Sequence, residues 1–262
     1  MTTALAVILA LVSAGDVLDD AAERYEAGEY RFTAGTYDDH PLPYRLLRPE
    51  SLAPGERYPL VLFLHGAGER GDDNLKQLKY LPAWLAEPQR RAEFPCFVLA
   101  PQCPTRGWWV TPRRFLRPDQ EADEVPAELI AVEGLLDEVL AREAIDPDRV
   151  YLTGLSMGGF GSWELASRRP QQFAALVPIC GGGPEQQAAR LVRLPIWAWH
   201  GGADAVVPPD RSRRMVEAVT AAGGQVRYTE LDGVGHDSWT AAYTGPENVL
   251  TWLFAQRRDA SQ

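Results

Sequence analysis

Blocks of apolar and polar residues along the chain predict strands and helices in alternation. Five short blocks are apolar at nearly every position, which is typical of strands covered on both faces of a sheet. They span residues 59–64, 97–100, 150–153, 175–179 and 196–199, and a sixth candidate strand spans 226–231. Between them, apolar residues recur every three or four positions, as in helices, at 125–140, 213–222 and 248–255. The alternation from residue 60 onward predicts an α/β fold with a doubly wound, mostly parallel sheet flanked by helices.

The residues before this region follow other patterns. Residues 21–28 are typical of a short helix or a solvated lead-in. β-Branched and aromatic residues at 30–37 and 44–47 predict the arms of an antiparallel hairpin around a turn at 38–41. No linker or repeat interrupts the chain, so we expect residues 15–262 to form a single domain.

A short apolar run at residues 4–12 ends in small residues, which is the pattern of a signal peptide over residues 1–14. This predicts an exported protein, periplasmic or secreted. No Lys or Arg precedes the run, so the alternative is the buried face of an N-terminal helix in a cytoplasmic protein. The run is too short for a membrane span.

Charge and cysteine content narrow the function classes. The 262 residues carry a net charge of -10, and this acidic balance argues against a nucleic-acid partner, which needs a basic surface. The three cysteines show no metal-type or redox spacing. Cys96 and Cys103 are able to pair in an exported protein, and the alternative is that they are small apolar residues at strand ends. The oligomeric state is left open.

A serine follows the third predicted strand, in the segment Gly-Leu-Ser-Met-Gly at residues 154–158. A helical pattern begins directly afterwards. In so sharp a strand-to-helix turn, the central residue takes a strained conformation and neighbouring chains leave no room for side chains at the flanking glycines. The Ser156 hydroxyl is thereby presented at a helix N-terminus, where the dipole favours developing negative charge. This context predicts a nucleophilic serine.

An acid and a base follow in the order Ser, Asp, His. Asp204 lies in a loop after the strand at 196–199, where a carboxylate orients a histidine and stabilises its imidazolium. The rival carboxylate, Asp210, is predicted to be the N-cap of the next helix. His236 lies in a glycine-rich loop after the last strand and is the predicted base. The other histidines are expected to shape turns or precede the sheet: His40, His65 and His200.

Two backbone N–H groups are candidate donors to an oxyanion. One belongs to Met157, next to the nucleophile, and the other to Ala67 in the segment His-Gly-Ala-Gly at 65–68. Removing one such donor costs roughly 3 kcal/mol of transition-state stabilisation. The alternative for the second segment is a glycine-rich turn without chemistry.

Together these motifs resemble the α/β-hydrolase superfamily over residues 59–254. The segments His-Gly-Ala-Gly-Glu-Arg-Gly-Asp-Asp-Asn at 65–74 and Gly-Leu-Ser-Met-Gly-Gly-Phe-Gly at 154–161 are similar to dienelactone-hydrolase-like and polyhydroxybutyrate-depolymerase-like serine esterases. Feruloyl and acetylxylan esterases and predicted bacterial peptidases belong to the same neighbourhood. The resemblance implies a carboxylic ester substrate, small or polymer-borne, with no cofactor and no metal. It places the functional residues at Ser156, Asp204, His236, Ala67 and Met157. Dienelactone hydrolases use cysteine as nucleophile, so that activity is not expected of this chain.

The segment 101–118 is the most informative about the substrate. Trp108 and Trp109 are predicted to stack on a sugar or phenolic ring. The arginines at 106, 113, 114 and 117 are expected to bind an acidic group on the substrate. The alternative is a solvated loop with one tryptophan pointing inward. Acidic residues at 69, 72 and 73 suggest a cation site or, in preference, braces within their loop.

Three functions are compatible with these residues. The favoured one is a serine carboxylesterase acting through an acyl-enzyme on Ser156, including on carbohydrate-linked or phenolic esters. No large lid insertion separates the catalytic loops, which disfavours an interfacially activated lipase. The alternatives are a serine peptidase of the prolyl-oligopeptidase kind and a non-catalytic binding module, although all three positions of the predicted triad are filled.

Overall fold

A mixed sheet forms the centre of the computed structural model, which describes residues 14–111 and 125–258. Its eight strands are β1 Tyr25–Ala34, β2 Tyr37–Leu47, β3 Tyr58–Leu64, β4 Phe97–Pro101, β5 Ile145–Leu155, β6 Ala175–Ile179, β7 Ile196–Gly201 and β8 Val226–Leu231. They lie in the order β1-β2-β4-β3-β5-β6-β7-β8. Only the β1–β2 and β2–β4 pairs are antiparallel. The predicted parallel sheet with an early antiparallel hairpin is confirmed.

Helices cover both faces of this sheet. In the described part of the chain they are α1 Ala14–Arg24, α2 Leu81–Ala86, α3 Pro88–Glu93, α4 Ala127–Arg142, α5 Met157–Arg168, α6 Asp210–Ala221, α7 Trp239–Thr244 and α8 Val249–Phe254. Single turns of 3-10 helix lie at Ala67–Glu69, Lys76–Leu78 and Pro170–Gln172, and a longer one at Glu185–Leu191. Every helix predicted from the apolar period is present, with ends shifted by a few residues.

The packing of strand β3 explains why its apolar residues are consecutive. Leu60, Leu62 and Leu64 pack in one layer together with α4, α5 and α6. Val61 and Phe63 point to the opposite layer, which contains residues of α2, α7 and α8. Successive side chains of a strand point to opposite faces, so a strand between two helical layers needs apolar residues at every position.

In the N-terminal third, the structure differs from two of the predictions. The hairpin turn lies at residues 35–36, because Gly35 has a φ of +57°, and residues 38–41 belong to β2 instead of forming the turn. The predicted lead-in is also wrong in part, because β1 begins at Tyr25 and pairs with Leu47. Local propensity missed this pairing because the partner strand lies about twenty residues away.

The signal-peptide prediction falls on residues 1–14, of which 1–13 lie outside the described residues. Ala14 is the first residue of α1. Among the described residues, no helix has the length and apolar character needed to cross a membrane. Cys96, Cys103 and Cys180 are all buried free thiols. Cys96 and Cys103 lie in opposite layers of the core, which is the arrangement of small apolar residues at the two ends of β4.

Candidate active site

The predicted nucleophile lies on a sharp turn between β5 and α5. Ser156 has a φ of 53° and a ψ of -117°, a conformation that L-residues rarely adopt. The flanking glycines allow backbones to meet at this point. A Cβ on Gly158 would lie 1.8 Å from the Leu64 carbonyl oxygen, and one on Gly154 would lie 2.4 Å from the Gly158 carbonyl oxygen. The glycine spacing is therefore required by packing of the turn against β3.

The structure brings the three predicted side chains into one hydrogen-bonded line. The His236 Nε2 atom lies 3.0 Å from the Ser156 Oγ atom, and His236 Nδ1 lies 2.7 Å from Asp204 Oδ2. They come from loops after β5, β7 and β8, which are parallel strands of one half of the sheet, with β6 between β5 and β7. Because the carboxyl ends of parallel strands share one edge, residues far apart in sequence meet there.

The Asp204 carboxylate is held by several donors. Its Oδ1 atom accepts the backbone N–H groups of Val206 and Val207 at 2.8 and 2.9 Å. Burial acts to raise the pKa of Asp204, but the His236 hydrogen bond and these two N–H groups outweigh it and lower the pKa below its usual value. The group is thus ionised and fixed in orientation. Asp210 is the first residue of α6 and Pro209 its N-cap, so the prediction of Asp210 as N-cap is wrong.

The segment 65–70, which carries the predicted donor Ala67 and is called the oxyanion loop for that prediction, adjoins the nucleophile turn. A Cβ on Gly66 would lie 2.9 Å from Leu155 Cδ1, so the two segments are in contact. Ala67 and Met157 each begin a helical turn, and neither N–H donates to another described residue. Their role as oxyanion donors stays a prediction.

His65 and Trp109 brace this loop from the interior. Trp109 is fully buried, donates its indole N–H to the His65 carbonyl oxygen at 3.0 Å, and packs edge-on against the imidazole. It therefore cannot stack on a substrate, and the prediction of Trp109 as a substrate-binding residue is wrong. The inward-pointing alternative applies because Gly161 leaves room for its side chain beside α5.

The buried imidazole of His65 is neutral. Its Nε2 atom accepts the Cys103 backbone N–H at 2.9 Å, so the ring proton lies on Nδ1, which donates to the Gly66 carbonyl oxygen at 2.6 Å. Burial lowers the pKa of His65 to about 4. A second proton, on Nε2, would point at the Cys103 N–H group, which is itself a donor.

We expect this histidine to make the fold sensitive to acid. The unfolded chain binds a proton near pH 6.5 and the folded protein only near pH 4, so the stabilisation is complete above about pH 6.5 and is lost as pH falls. The free energy of unfolding should decrease by about 3 kcal/mol over this range. Urea unfolding of the wild type and His65→Gln at several pH values measures it. The glutamine amide keeps a donor and an acceptor without titrating, so equal pH dependence in both proteins would contradict the assignment.

Trp108, unlike its neighbour, is only partly buried. The Arg70 guanidinium lies 4.7 Å from its ring centroid and also donates to the Ala67 carbonyl oxygen at 2.9 Å. Trp108, with Arg106 and Ile130, lines a cavity of about 740 Å³. Its predicted contact with substrate stays a prediction. The other arginines of this segment, at 113, 114 and 117, lie outside the described residues.

Asp73, one of the three acidic residues predicted to form a cation site or braces, acts as a brace within its loop. Asp73 Oδ1 accepts the N–H groups of Leu75 and Lys76 and the Gln102 amide, while Oδ2 pairs with Lys76 Nζ at 2.7 Å. These donors together lower the pKa of Asp73 against the opposing effect of burial.

Cys180 is a residue of the site that sequence patterns did not indicate. Its Sγ atom accepts the Ser156 backbone N–H at 3.3 Å, and its own φ is +41°. Within the described residues, the group of potential metal ligands found within 4.8 Å of one another is Cys180, Asp204 and His236. The last two are already hydrogen-bonded to each other, and burial strongly raises the pKa of the thiol. The arrangement is that of a proton relay with a buried thiol behind it.

A family model and a solved structure each match most of the chain. The model of the phospholipase/carboxylesterase family matches residues 53–245. A solved structure of a thermostable esterase is 39% identical with a TM-score of 0.80, covering 91% of this chain and 64% of that one.

Two curated relatives are more distant. The protein named "Putative esterase NocK" of Nocardia uniformis subsp. tsuyamanensis is 31% identical over 64% of this chain and 46% of its own length. Poly(3-hydroxyalkanoate) depolymerase C of Paucimonas lemoignei is 29% identical over 36% of this chain and 30% of its own. The chain thus spans less than half the length of these two relatives.

Proposed function

The chain belongs to the phospholipase/carboxylesterase family, and from this premise we propose that it is a serine carboxylesterase that forms an acyl-enzyme on Ser156. The observation that carries the proposal is the line of hydrogen bonds from Ser156 Oγ through His236 to Asp204. The similarity to an esterase structure over most of the chain supports it.

Acylation begins when His236 Nε2 takes the proton of the Ser156 hydroxyl, as Oγ attacks the ester carbonyl carbon. The Asp204 carboxylate stabilises the imidazolium that forms. The carbonyl oxygen becomes an oxyanion, for which the N–H groups of Ala67 and Met157 are the proposed donors.

Collapse of the tetrahedral intermediate completes the first half of the reaction. The bond between the carbonyl carbon and the alkoxy oxygen breaks, and His236 gives its proton to that oxygen, releasing the alcohol. A water molecule then loses a proton to His236 as it attacks the acyl carbonyl carbon. The bond from that carbon to Ser156 Oγ breaks, His236 returns the proton to Oγ, and the carboxylic acid is released.

The experiment that tests this function compares ester with amide cleavage. We expect the protein to hydrolyse p-nitrophenyl acetate and short alkyl esters, whereas a chromogenic peptide p-nitroanilide is cleaved far more slowly. Cleavage of the amide alone would favour the peptidase alternative. Cleavage of neither, together with no labelling by a fluorophosphonate, would favour the non-catalytic alternative.

The same assay, extended to acetylated xylan, methyl ferulate and a polyester film, assigns the substrate class. Carbohydrate-linked and phenolic esters are the proposed physiological class, because the partly buried Trp108 lies against Arg70 of the oxyanion loop, where an aromatic ring can contact a sugar or phenolic ring.

A further inference from the structure

A second residue near the site has the backbone conformation of the nucleophile. Tyr80 precedes α2 as Ser156 precedes α5, and its φ of 69° and ψ of -124° lie close to the values of 53° and -117° at Ser156. Glycine alone adopts this region without strain. A large aromatic residue persists there only where the surrounding structure holds it, and such positions concentrate at functional sites.

Ring contacts connect Tyr80 with the predicted base. The Tyr80 ring centroid lies 5.3 Å from that of Trp239, and the Trp239 ring lies 5.3 Å from the His236 imidazole at an interplanar angle of 89°. Lys79 Nζ also lies 4.9 Å from the Tyr80 ring centroid. We call Tyr80 and Trp239 the aromatic wall.

The two members of the aromatic wall differ in exposure. Trp239 is 8% exposed, whereas Tyr80 is only half-buried, so Tyr80 offers the surface that a bound molecule can contact. The Trp239 indole N–H is buried and has no acceptor among the described residues. It is one of several unpaired buried donors in the described part of the chain and is not accessible to a bound molecule, so contact with a ligand falls to Tyr80.

The proton transfers of the reaction determine which part of an ester lies near His236 and this wall. His236 must return its proton to the alkoxy oxygen, so the alcohol part of the ester lies on the His236 side. The oxyanion lies towards the proposed donors Ala67 and Met157. We propose that the aromatic wall binds the alcohol part of the ester and selects alcohols that carry an aryl ring, which stacks on Tyr80. This inference rests on the proposed function.

Benzyl acetate and ethyl acetate form the matched pair of substrates that tests this. They share the acyl group and release primary alcohols, and only the benzyl ester has a ring to stack. An aromatic stacking contact corresponds to about 3-fold to 10-fold in kcat/KM. We therefore expect Tyr80→Ala to lower the benzyl-to-ethyl ratio of kcat/KM by about that factor, while Tyr80→Phe retains the ratio.

Three further measurements make the result specific. Tyr80→Gly, in which the backbone strain is relieved, should show the same lowered ratio with a smaller loss of stability than Tyr80→Ala, so the test does not depend on folding of the alanine variant. Tyr30→Ala, which removes a half-buried tyrosine from β1, is the matched control and should keep the ratio. The ratio for ethyl butyrate over ethyl acetate should stay unchanged in Tyr80→Ala.

An unchanged benzyl-to-ethyl ratio in both Tyr80→Ala and Tyr80→Gly would overturn the proposal. A change confined to the butyrate-to-acetate ratio would also overturn it, because the wall would then contact the acyl part. If the wild type hydrolyses none of these esters, the proposed function itself fails, which is a distinguishable outcome.

Discussion

Replacing Ser156 by alanine should lower kcat for p-nitrophenyl acetate by about 10⁵-fold to 10⁶-fold. The hydroxyl is the atom that becomes acylated, and no neighbouring group can substitute for it, because the Cys180 thiol behind it is buried with a strongly raised pKa. Steady-state kinetics measures the loss. Intact-mass analysis after fluorophosphonate treatment should show one adduct on the wild type and none on the variant.

Ser167→Ala is the matched control for this variant. Ser167 lies on the same helix, α5, is fully buried, and its hydroxyl has no hydrogen-bond partner among the described residues. Its removal should leave kcat and labelling unchanged and the free energy of unfolding equal or higher. A labelled Ser156→Ala protein would show that another serine is the reactive one.

Replacing Asp204 by asparagine should lower kcat by about 10⁴-fold with little change in stability. The asparagine carbonyl can still accept the Val206 and Val207 N–H groups, so the loop keeps its hydrogen bonds. Its amide, however, would donate to His236 Nδ1 and force the ring proton onto Nε2. In that tautomer the imidazole cannot take the Ser156 proton.

Asp210→Asn is the control for the second variant, because Asp210 lies six residues further along the same connection and opens α6. We expect its kcat to stay within about 2-fold of the wild type, in line with the small effects of surface substitutions. Comparable losses in the two variants would mean that Asp204 has no special role in orienting His236.

These effects are large because the relay works as a unit on a fixed backbone. Ser156 is held on a strained turn by glycine packing, and Asp204 is held by two backbone donors before the histidine binds it. Positioning of this kind needs no reorganisation during the reaction. The same backbone conformation recurs at Tyr80, the loop residue that we propose contributes to specificity.

The sequence alone predicted the order of strands and helices, the turn that carries Ser156, and the order Ser, Asp, His. These features depend on local rules: apolar period, glycine spacing, and the meeting of parallel strand ends at one edge. Asp204 was separable from Asp210 on the same basis, since only the former lies at a strand end.

The tertiary structure alone decided which loop side chains face the site. Trp108 and Trp109 are adjacent and alike in sequence, yet Trp109 points inward because His65 and Gly161, distant along the chain, provide its acceptor and its space. Tyr80 gave no signal in the sequence, because its strain and its contact with Trp239 depend on packing between segments that are far apart along the chain. Local patterns specify how each segment folds, and only the packing of distant segments specifies what a loop residue contacts.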